Sequence, residues 1–332
     1  MSATDALRVL HVGLGQIGTR LARATAGRSA LRSVAAIDPN PELVGASLGK
    51  VCGAGGDDAR VYPSLAEALK ATRGADVAFH AVGSELATIT DQLVELLGAG
   101  LNVVTTAEEL IHPYERAPGA ARRLDDVAKA NRVSLFAAGI NPGFLMDRLP
   151  AYVSSVCTRI DSIQVERLVD LGARRAALRR KMGVGETLAA VGPRLAERQI
   201  GHVGLLDSLR YLAAELGWSL ENITQSLRPL VAAARVEKSG EIVEAGRVLG
   251  MEETADGIAR DGRSLRLHLT MRLDASEPYD VIRIAGEPPI VLRFEGGVAG
   301  DQATVATVMN AARYVVAAPA GLIAHLPLPA GT

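Results

Sequence analysis

The sequence predicts an α/β fold of the Rossmann type, a doubly wound parallel sheet, followed by a second α+β domain. Three observations carry this expectation. From residue 7 to about 140, short β-rich apolar runs alternate with helically spaced segments, the rhythm of a parallel sheet with helices on both faces. A glycine-rich turn follows the first of those runs directly. After Pro142 the texture changes, with helical segments first and β-like segments between about 230 and 300.

In chain order, the strands of the first domain are "LRVLHVGLG", "LRSVAAID", "ADVAFHAVG", "LNVVTTAEE" and "VSLFAAGIN". Between them "SLAEALKATRG" and "ELATITDQLVELLGAG" have helical spacing and stop at glycine, and "YERAPGAARRLDDVAKAN" is helical too. Beyond Pro142, "PGFLMDRLPAYVSSVC" has the spacing of a helix and "IDSIQVERLVDLG" that of a strand. Helices follow through "GETLAAVGPRLAER" and "HVGLLDSLRYLAAELGW", then strands in "RSLRLHLTMRLDA" and "YDVIRIAGEPPIVLRFEGG". The last segment, "DQATVATVMNAARYVVAAPAGL", is helical again. The division expected is therefore residues 1–141, then 142–300, with 301–332 returning to pack on the first domain.

Composition narrows the function classes. Across 332 residues, 36 Lys and Arg balance 37 Asp and Glu, so no net field favours nucleic acid or an anionic membrane as partner. The N-terminus lacks the charged and apolar regions of a signal peptide, and the apolar stretch from Tyr314 is interrupted by prolines. A cytoplasmic location is the expectation. Cys52 and Cys157 are too few for a disulfide framework and lack metal-ligand spacing, so no metal is expected.

The first turn carries the clearest chemistry. Gly13, Gly15 and Gly18 form G-x-G-x-x-G between a strand and the helix "QIGTRLARATAG", so Gln16 and Ile17 fall at the helix N-terminus, where backbone N–H groups and the dipole favour a pyrophosphate. The second strand ends in Asp38, 20 residues past Gly18, where an acidic residue takes ribose hydroxyls. The expected cofactor is NAD(H) or NADP(H). Asp38 favours NAD(H), while Arg20 and Arg60 keep a 2′-phosphate open.

Ligands of such sheets sit at the carboxyl ends of the strands. "HAVGS" places His80, Ala81, Val82 and Gly83 beside the expected cofactor, although a histidine in so apolar a strand also suits a hydrogen-bonded core residue. Asn141 and Gly143 close the last strand, where their backbone can face the cofactor; Pro142 equally suits the first position of a helix. "TTAEEL" contains two overlapping capping boxes, Thr105 with Glu108 and Thr106 with Glu109. One pair can cap one helix, so the other glutamate is a candidate general base. The basic run Arg174, Arg175, Arg179, Arg180 and Lys181 has the spacing of a solvated helix face, with an anion site as the alternative.

Together, "GLGQIG", "DVAFHAVGS", "NVVTTAEEL", "INPGFLMD", "RKMGVGET", "GHVGLLDSL" and "AARYVVAAPAGL" resemble, in order along nearly the whole chain, the 2,4-diaminopentanoate dehydrogenases and the related native amine dehydrogenases. These share the nucleotide-binding fold of dihydrodipicolinate reductases. The resemblance implies NAD(P)-dependent oxidative deamination of an amine, or reductive amination of a small ketone or aldehyde with ammonia. It places the acid/base role on Glu108 and leaves Glu109, at the substrate pocket, to cap with Thr106. It also implies that Phe144 shapes that pocket, and that the helix at Asp301–Tyr314 supports a homodimer or the interdomain seam. Neither the HHxxK nor the SGT element of true dihydrodipicolinate reductases is present, nor is the E-K-P segment of sugar-oxidising relatives. The alternatives are a diamino-acid dehydrogenase and, in a different class, an NAD(H)-sensing regulator without turnover.

Overall fold

A computed structural model describes residues 6–54, 58–197 and 199–324, and the chain divides into two compact units, residues 1–143 with 300–332, and residues 144–299. The first unit begins β1 (Leu7–Val12), α1 (Gln16–Ala26), β2 (Leu31–Ile37), α2 (Leu48–Cys52), β3 (Arg60–Tyr62), α3 (Leu65–Ala71), β4 (Val77–His80), α4 (Leu86–Gly98) and β5 (Asn102–Thr105). A single 3₁₀ turn, Glu108–Leu110, leads to α5 (Pro113–Arg116), α6 (Pro118–Ala130) and β6 (Ser134–Ala137). The second unit runs α7 (Arg148–Ser154), β7 (Arg159–Asp170), a 3₁₀ turn, α8 (Ala176–Lys181), α9 (Leu188–Ala196), α10 (Leu205–Glu215), β8 (Leu220–Val231), β9 (Val236–Lys238), β10 (Glu241–Val243), β11 (Val248–Ala259), β12 (Ser264–Arg272), β13 (Tyr279–Glu287) and β14 (Ile290–Glu295). The chain then returns as α11 (Gly300–Ala317) and β15 (Gly321–Ile323), and residues 325–332 of the predicted returning segment lie outside the described residues.

The seven strands of the first unit pair in parallel in the order β15-β6-β5-β4-β1-β2-β3. Their continuous apolar sequences follow from burial on both faces, since a parallel sheet is covered by helices. β4 and β6 are buried at every residue. From β1 the chain winds through β2 to β3, then crosses back to β4 and winds the other way. The order therefore reverses between β1 and β4, where open sheets of this kind leave a crevice beyond the strand ends. α11 closes the core: Val305, Val308, Met309, Ala312 and Val315 pack with Val9, Leu21, Phe79, Val104 and Phe136. Arg28 pins it by donating to Asn310 Oδ1 at 2.7 Å. No helix among the described residues is long and apolar enough to cross a membrane.

The second unit is a six-stranded mixed sheet, β14-β13-β7-β12-β11-β8, in which only β7 and β12 are parallel. Period-two alternation puts Ile163, Val165 and Arg167 of β7 and Leu265, Leu267 and Leu269 of β12 on the buried face. Asp147 joins the helices of this unit: Oδ1 accepts from Arg148 N at 2.7 Å to cap α7, and Oδ2 accepts from Ser208 Oγ of α10 at 2.7 Å.

Two elements of the second unit differ from the expectation. The helix after Pro142 begins at Arg148, because Gly143 sits at φ +127°, a conformation no helix contains. β8 was not expected from Leu220 onward. It is an edge strand whose residues are mostly exposed, so "LENITQS" lacks the apolar alternation of a half-buried strand. In the basic run, Arg179 pairs with Glu241 at 2.9 Å with only 15% of its side chain exposed, while Arg180 is exposed.

Candidate active site

Three glycines shape the turn after β1, for different reasons. At Gly18 an added Cβ would lie 1.8 Å from Gly13 O, and at Gly13, itself at φ +84°, it would lie 2.8 Å from Ala81 O. Backbone packing between the turn, α1 and β4 demands both. At Gly15 nothing lies within 4 Å of the missing Cβ. Gly15 is also the N-cap of α1 and gives that helix no side-chain cap, so the first-turn N–H groups of Gln16, Ile17 and Gly18 face outward without one. Protein packing accounts for two glycines, while the third leaves its backbone open to the close approach of a ligand. Gly18→Ala is expected to cost at least ~2 kcal/mol of stability, measured by denaturant unfolding, since the contact is with backbone that cannot swing aside.

Asp38 follows β2 and is tied into the same turn. Its Oδ2 accepts from Leu14 N at 2.7 Å and its Oδ1 from Asn40 N at 3.0 Å. Each carboxylate oxygen has a second lone pair, which leaves acceptor capacity for ribose hydroxyls. Arg60, one of the two candidates for a 2′-phosphate, donates instead to Gly45 O at 2.9 Å. Arg20 is exposed on α1.

Across the reversal point, Ala81 extends the ladder through its N–H to Val12 O at 2.8 Å, and Val82 Cγ2 lies 3.0 Å from the Cβ position of Gly13. Val82 is exposed (50%), while Gly83 packs on Ile89 of α4. His80 is a correction. Its side chain is fully buried, with Nδ1 2.8 Å from Thr105 Oγ1 and Nε2 3.1 Å from Gln92 Oε1, so it presents no ring atom to a ligand. Burial lowers its pKa to about 4, although the bond to Gln92 acts the other way, and the ring is neutral at ordinary pH.

The "TTAEEL" segment also differs from the capping boxes expected of it. It forms one 3₁₀ turn, and the bonds go elsewhere: Thr105 Oγ1 accepts from Ala107 N at 3.1 Å, and Glu109 Oε2 accepts from Leu86 N, at the start of α4, at 2.9 Å. The reason is local. Glu85, the N-cap of α4, makes no side-chain cap bond, so that helix end draws the carboxylate of the neighbouring turn. Glu109 Oε1 meets Arg116 at 3.3 Å. Glu108, half-buried, heads the turn at the carboxyl end of β5.

After β6, Gly139 and Gly143 close a tight loop through a cis Asn141–Pro142 peptide bond: a Cβ on Gly139 would meet Pro142 O at 2.5 Å, and one on Gly143 would meet Gly139 N at 2.7 Å. Asn141 Oδ1 is buried with no hydrogen-bond partner. Such an acceptor is costly unless a donor arrives, so this strand end also suits a ligand. Phe144, half-buried, begins the second unit. The first unit thus gathers the glycine turn, Asp38, Ala81–Gly83, Glu108, Glu109 and Asn141 at the carboxyl ends of its strands. Sequence reasoning missed Gln92 and Arg116, polar residues on helices that carry no motif.

Fold and strand ends together define a nucleotide-binding Rossmann-type unit joined to an α+β unit. A family model for the 2,4-diaminopentanoate dehydrogenase C-terminal domain matches residues 144–332, and the chain belongs to that family. It is 25% identical over 331 residues to the 2,4-diaminopentanoate dehydrogenase of Acetoanaerobium sticklandii, covering 98% of this chain and 94% of that protein. The solved amine dehydrogenase of Mycobacterium smegmatis matches with a TM-score of 0.85 and 25% identity over 96% of this chain and 95% of that one. A dihydrodipicolinate reductase from Paenisporosarcina sp. TG-14, at a TM-score of 0.55 and 11% identity over 96% and 97% of the two chains, shares the fold alone.

Proposed function

We propose that this chain is an NAD(H)-dependent amine dehydrogenase, with Glu108 as its acid/base. The observation that carries the reading is the division of labour at the end of β5. Glu109 is held by Leu86 N and Arg116, while Glu108 heads the same turn at the carboxyl edge of the sheet. Family membership and the amine-named relatives support the reaction class.

The strand ends fit a dinucleotide by the test of Gly15, whose missing Cβ leaves open space before uncapped helix N–H groups. Gln16, Ile17 and Gly18 would hold the pyrophosphate, Asp38 the ribose, Ala81, Val82 and Gly83 the neighbouring ring, and Asn141 and Gly143 the carboxamide side. The bound nicotinamide supplies a hydride donor or acceptor. In the reductive direction a carbonyl compound, ammonium, NADH and one proton give the protonated amine, NAD⁺ and water. Glu108 takes a proton from ammonium, returns one to the departing water, and lies as a negative charge beside the iminium carbon that receives hydride. Glu109, tied to Leu86 N and Arg116, steadies the turn beside Glu108. The enzyme is taken to be a cytoplasmic homodimer without nucleic-acid or membrane partners, in keeping with its balanced charge.

The test is NADH oxidation with high ammonium and a panel of aliphatic ketones, aldehydes and keto acids, each repeated without ammonium. Ammonium-dependent oxidation is expected. NADH binding without turnover on any carbonyl would instead favour a diamino-acid substrate or a sensor. Asp38 carries a second prediction: Asp38→Ala is expected to lower the ratio of NADH to NADPH use at least ~10-fold, since the carboxylate both bonds ribose hydroxyls and repels a 2′-phosphate. An unchanged ratio in kcat/KM would show that Asp38 does not reach the ribose.

A further inference from the structure

Two anchors hold the turn that carries Glu108, and they close on each other. The first is a hydrogen-bonded relay: Gln92 Oε1 to His80 Nε2 (3.1 Å), His80 Nδ1 to Thr105 Oγ1 (2.8 Å), and Ala107 N–H to Thr105 Oγ1 (3.1 Å). The second is Glu109, whose carboxylate caps α4 at Leu86 N (2.9 Å), while its own N–H donates to Ser84 O (3.2 Å). Both anchors end on α4, because Gln92 lies on that helix six residues after Leu86. The circuit runs from the turn to α4 and, through His80, back to the turn.

The orientation of Gln92 sets the direction of the relay. An amide oxygen only accepts, so His80 Nε2 carries the hydrogen and Nδ1 is the acceptor. Thr105 then donates its hydroxyl to Nδ1, which aims its lone pairs at Ala107 N–H. A protonated ring would reverse the middle bond and force the Thr105 hydroxyl hydrogen to turn to another acceptor. Burial prevents this down to a pH of about 4.

Resting on the reading of Glu108 as acid/base, we propose that His80, Thr105 and Gln92 are positioning residues for it: the buried relay fixes Ala107, and through Ala107 the entry of the chain into the 3₁₀ turn, so that the Glu108 carboxylate is held at a set place beyond β5. His80 thereby acts on the reaction without touching cofactor or substrate. The geometry suits the task, since Ala107 directly precedes Glu108 and is itself fully buried.

The experiment compares Thr105→Val, which keeps the shape and removes the hydroxyl, with Thr105→Ser, which restores it. In the ammonium-dependent assay, Thr105→Val is expected to lower kcat roughly 10- to 100-fold, the scale on which small displacements of a catalytic group act. Its NADH dissociation constant should stay within twofold, and the acid limb of its kcat–pH profile should move. Thr105→Ser should recover most of the loss and the wild-type profile. Gln92→Leu, which cuts the far end of the relay on the half-buried side of a helix, is expected to act in the same direction more weakly. Amide hydrogen exchange at Ala107 should quicken in Thr105→Val and not in Thr105→Ser, whatever the activity. Wild-type kcat and an unmoved pH profile in both Thr105→Val and Gln92→Leu would overturn the proposal, as would unchanged exchange at Ala107. A wild-type enzyme inactive with every carbonyl defeats the amine dehydrogenase reading instead, and the exchange comparison then decides whether the relay fixes the turn.

Discussion

Glu108→Gln is expected to cut ammonium-dependent turnover by ~10²- to 10⁴-fold while leaving NADH binding unchanged. The substitution keeps size and hydrogen-bonding reach but removes the ability to take a proton and the negative charge beside a developing iminium. Glu109→Gln provides the contrast. Its carboxylate caps α4 and faces Arg116, so the loss should fall on stability, by about 1 kcal/mol as for other helix caps, with a smaller effect on turnover. Stopped-flow measurement of the hydride step in the two variants separates the roles. Wild-type turnover in Glu108→Gln would move the acid/base role elsewhere and leave the turn a structural feature.

The parallel sheet was legible because its signals are local: uniform apolar runs for strands buried on both faces, helical spacing between them, and glycines where backbone crowds backbone. The distinction among those glycines was not legible. Gly13 and Gly18 answer to neighbours brought in by the fold, Ala81 O and Gly13 O, and only coordinates show that Gly15 answers to no neighbouring atom. The same holds for "TTAEEL". Its two capping boxes are sound as local chemistry, yet the uncapped end of α4, some twenty residues earlier in the chain, claims Glu109. Gln92 was invisible because a polar residue on an amphipathic helix ordinarily faces solvent. His80 illustrates the converse. Its place at a strand end suggested a ligand contact, and three-dimensional neighbours on α4 and β5 turned its ring inward.

Arg167→Ala is expected to destabilise the protein by roughly 3–5 kcal/mol, the second large effect. Arg167 of β7 and Asp280 of β13 are 5% and 1% exposed, with Nε and Oδ1 3.2 Å apart. They also hold the segment between β14 and α11, since Arg167 donates to Val298 O at 2.7 Å and Asp280 Oδ2 accepts from Val298 N at 2.6 Å. Removing the guanidinium strands a carboxylate in an apolar place. Burial already raises the pKa of Asp280, and Arg167 opposes that rise. Without Arg167 the folded pKa climbs further above the unfolded value, so the native state takes up a proton that the unfolded chain releases. Stability tied to that proton is present at low pH and lost as pH rises through the folded pKa. The gap in melting temperature between wild type and Arg167→Ala should therefore narrow from pH 8 to pH 5. Arg167→Met with Asp280→Asn keeps an acceptor for Val298 N and leaves no buried charge, so this pair should recover much of the loss at pH 8. A gap that does not change with pH, together with no recovery in the double variant, would show that Arg167 stabilises by filling space and not by holding the charge of Asp280.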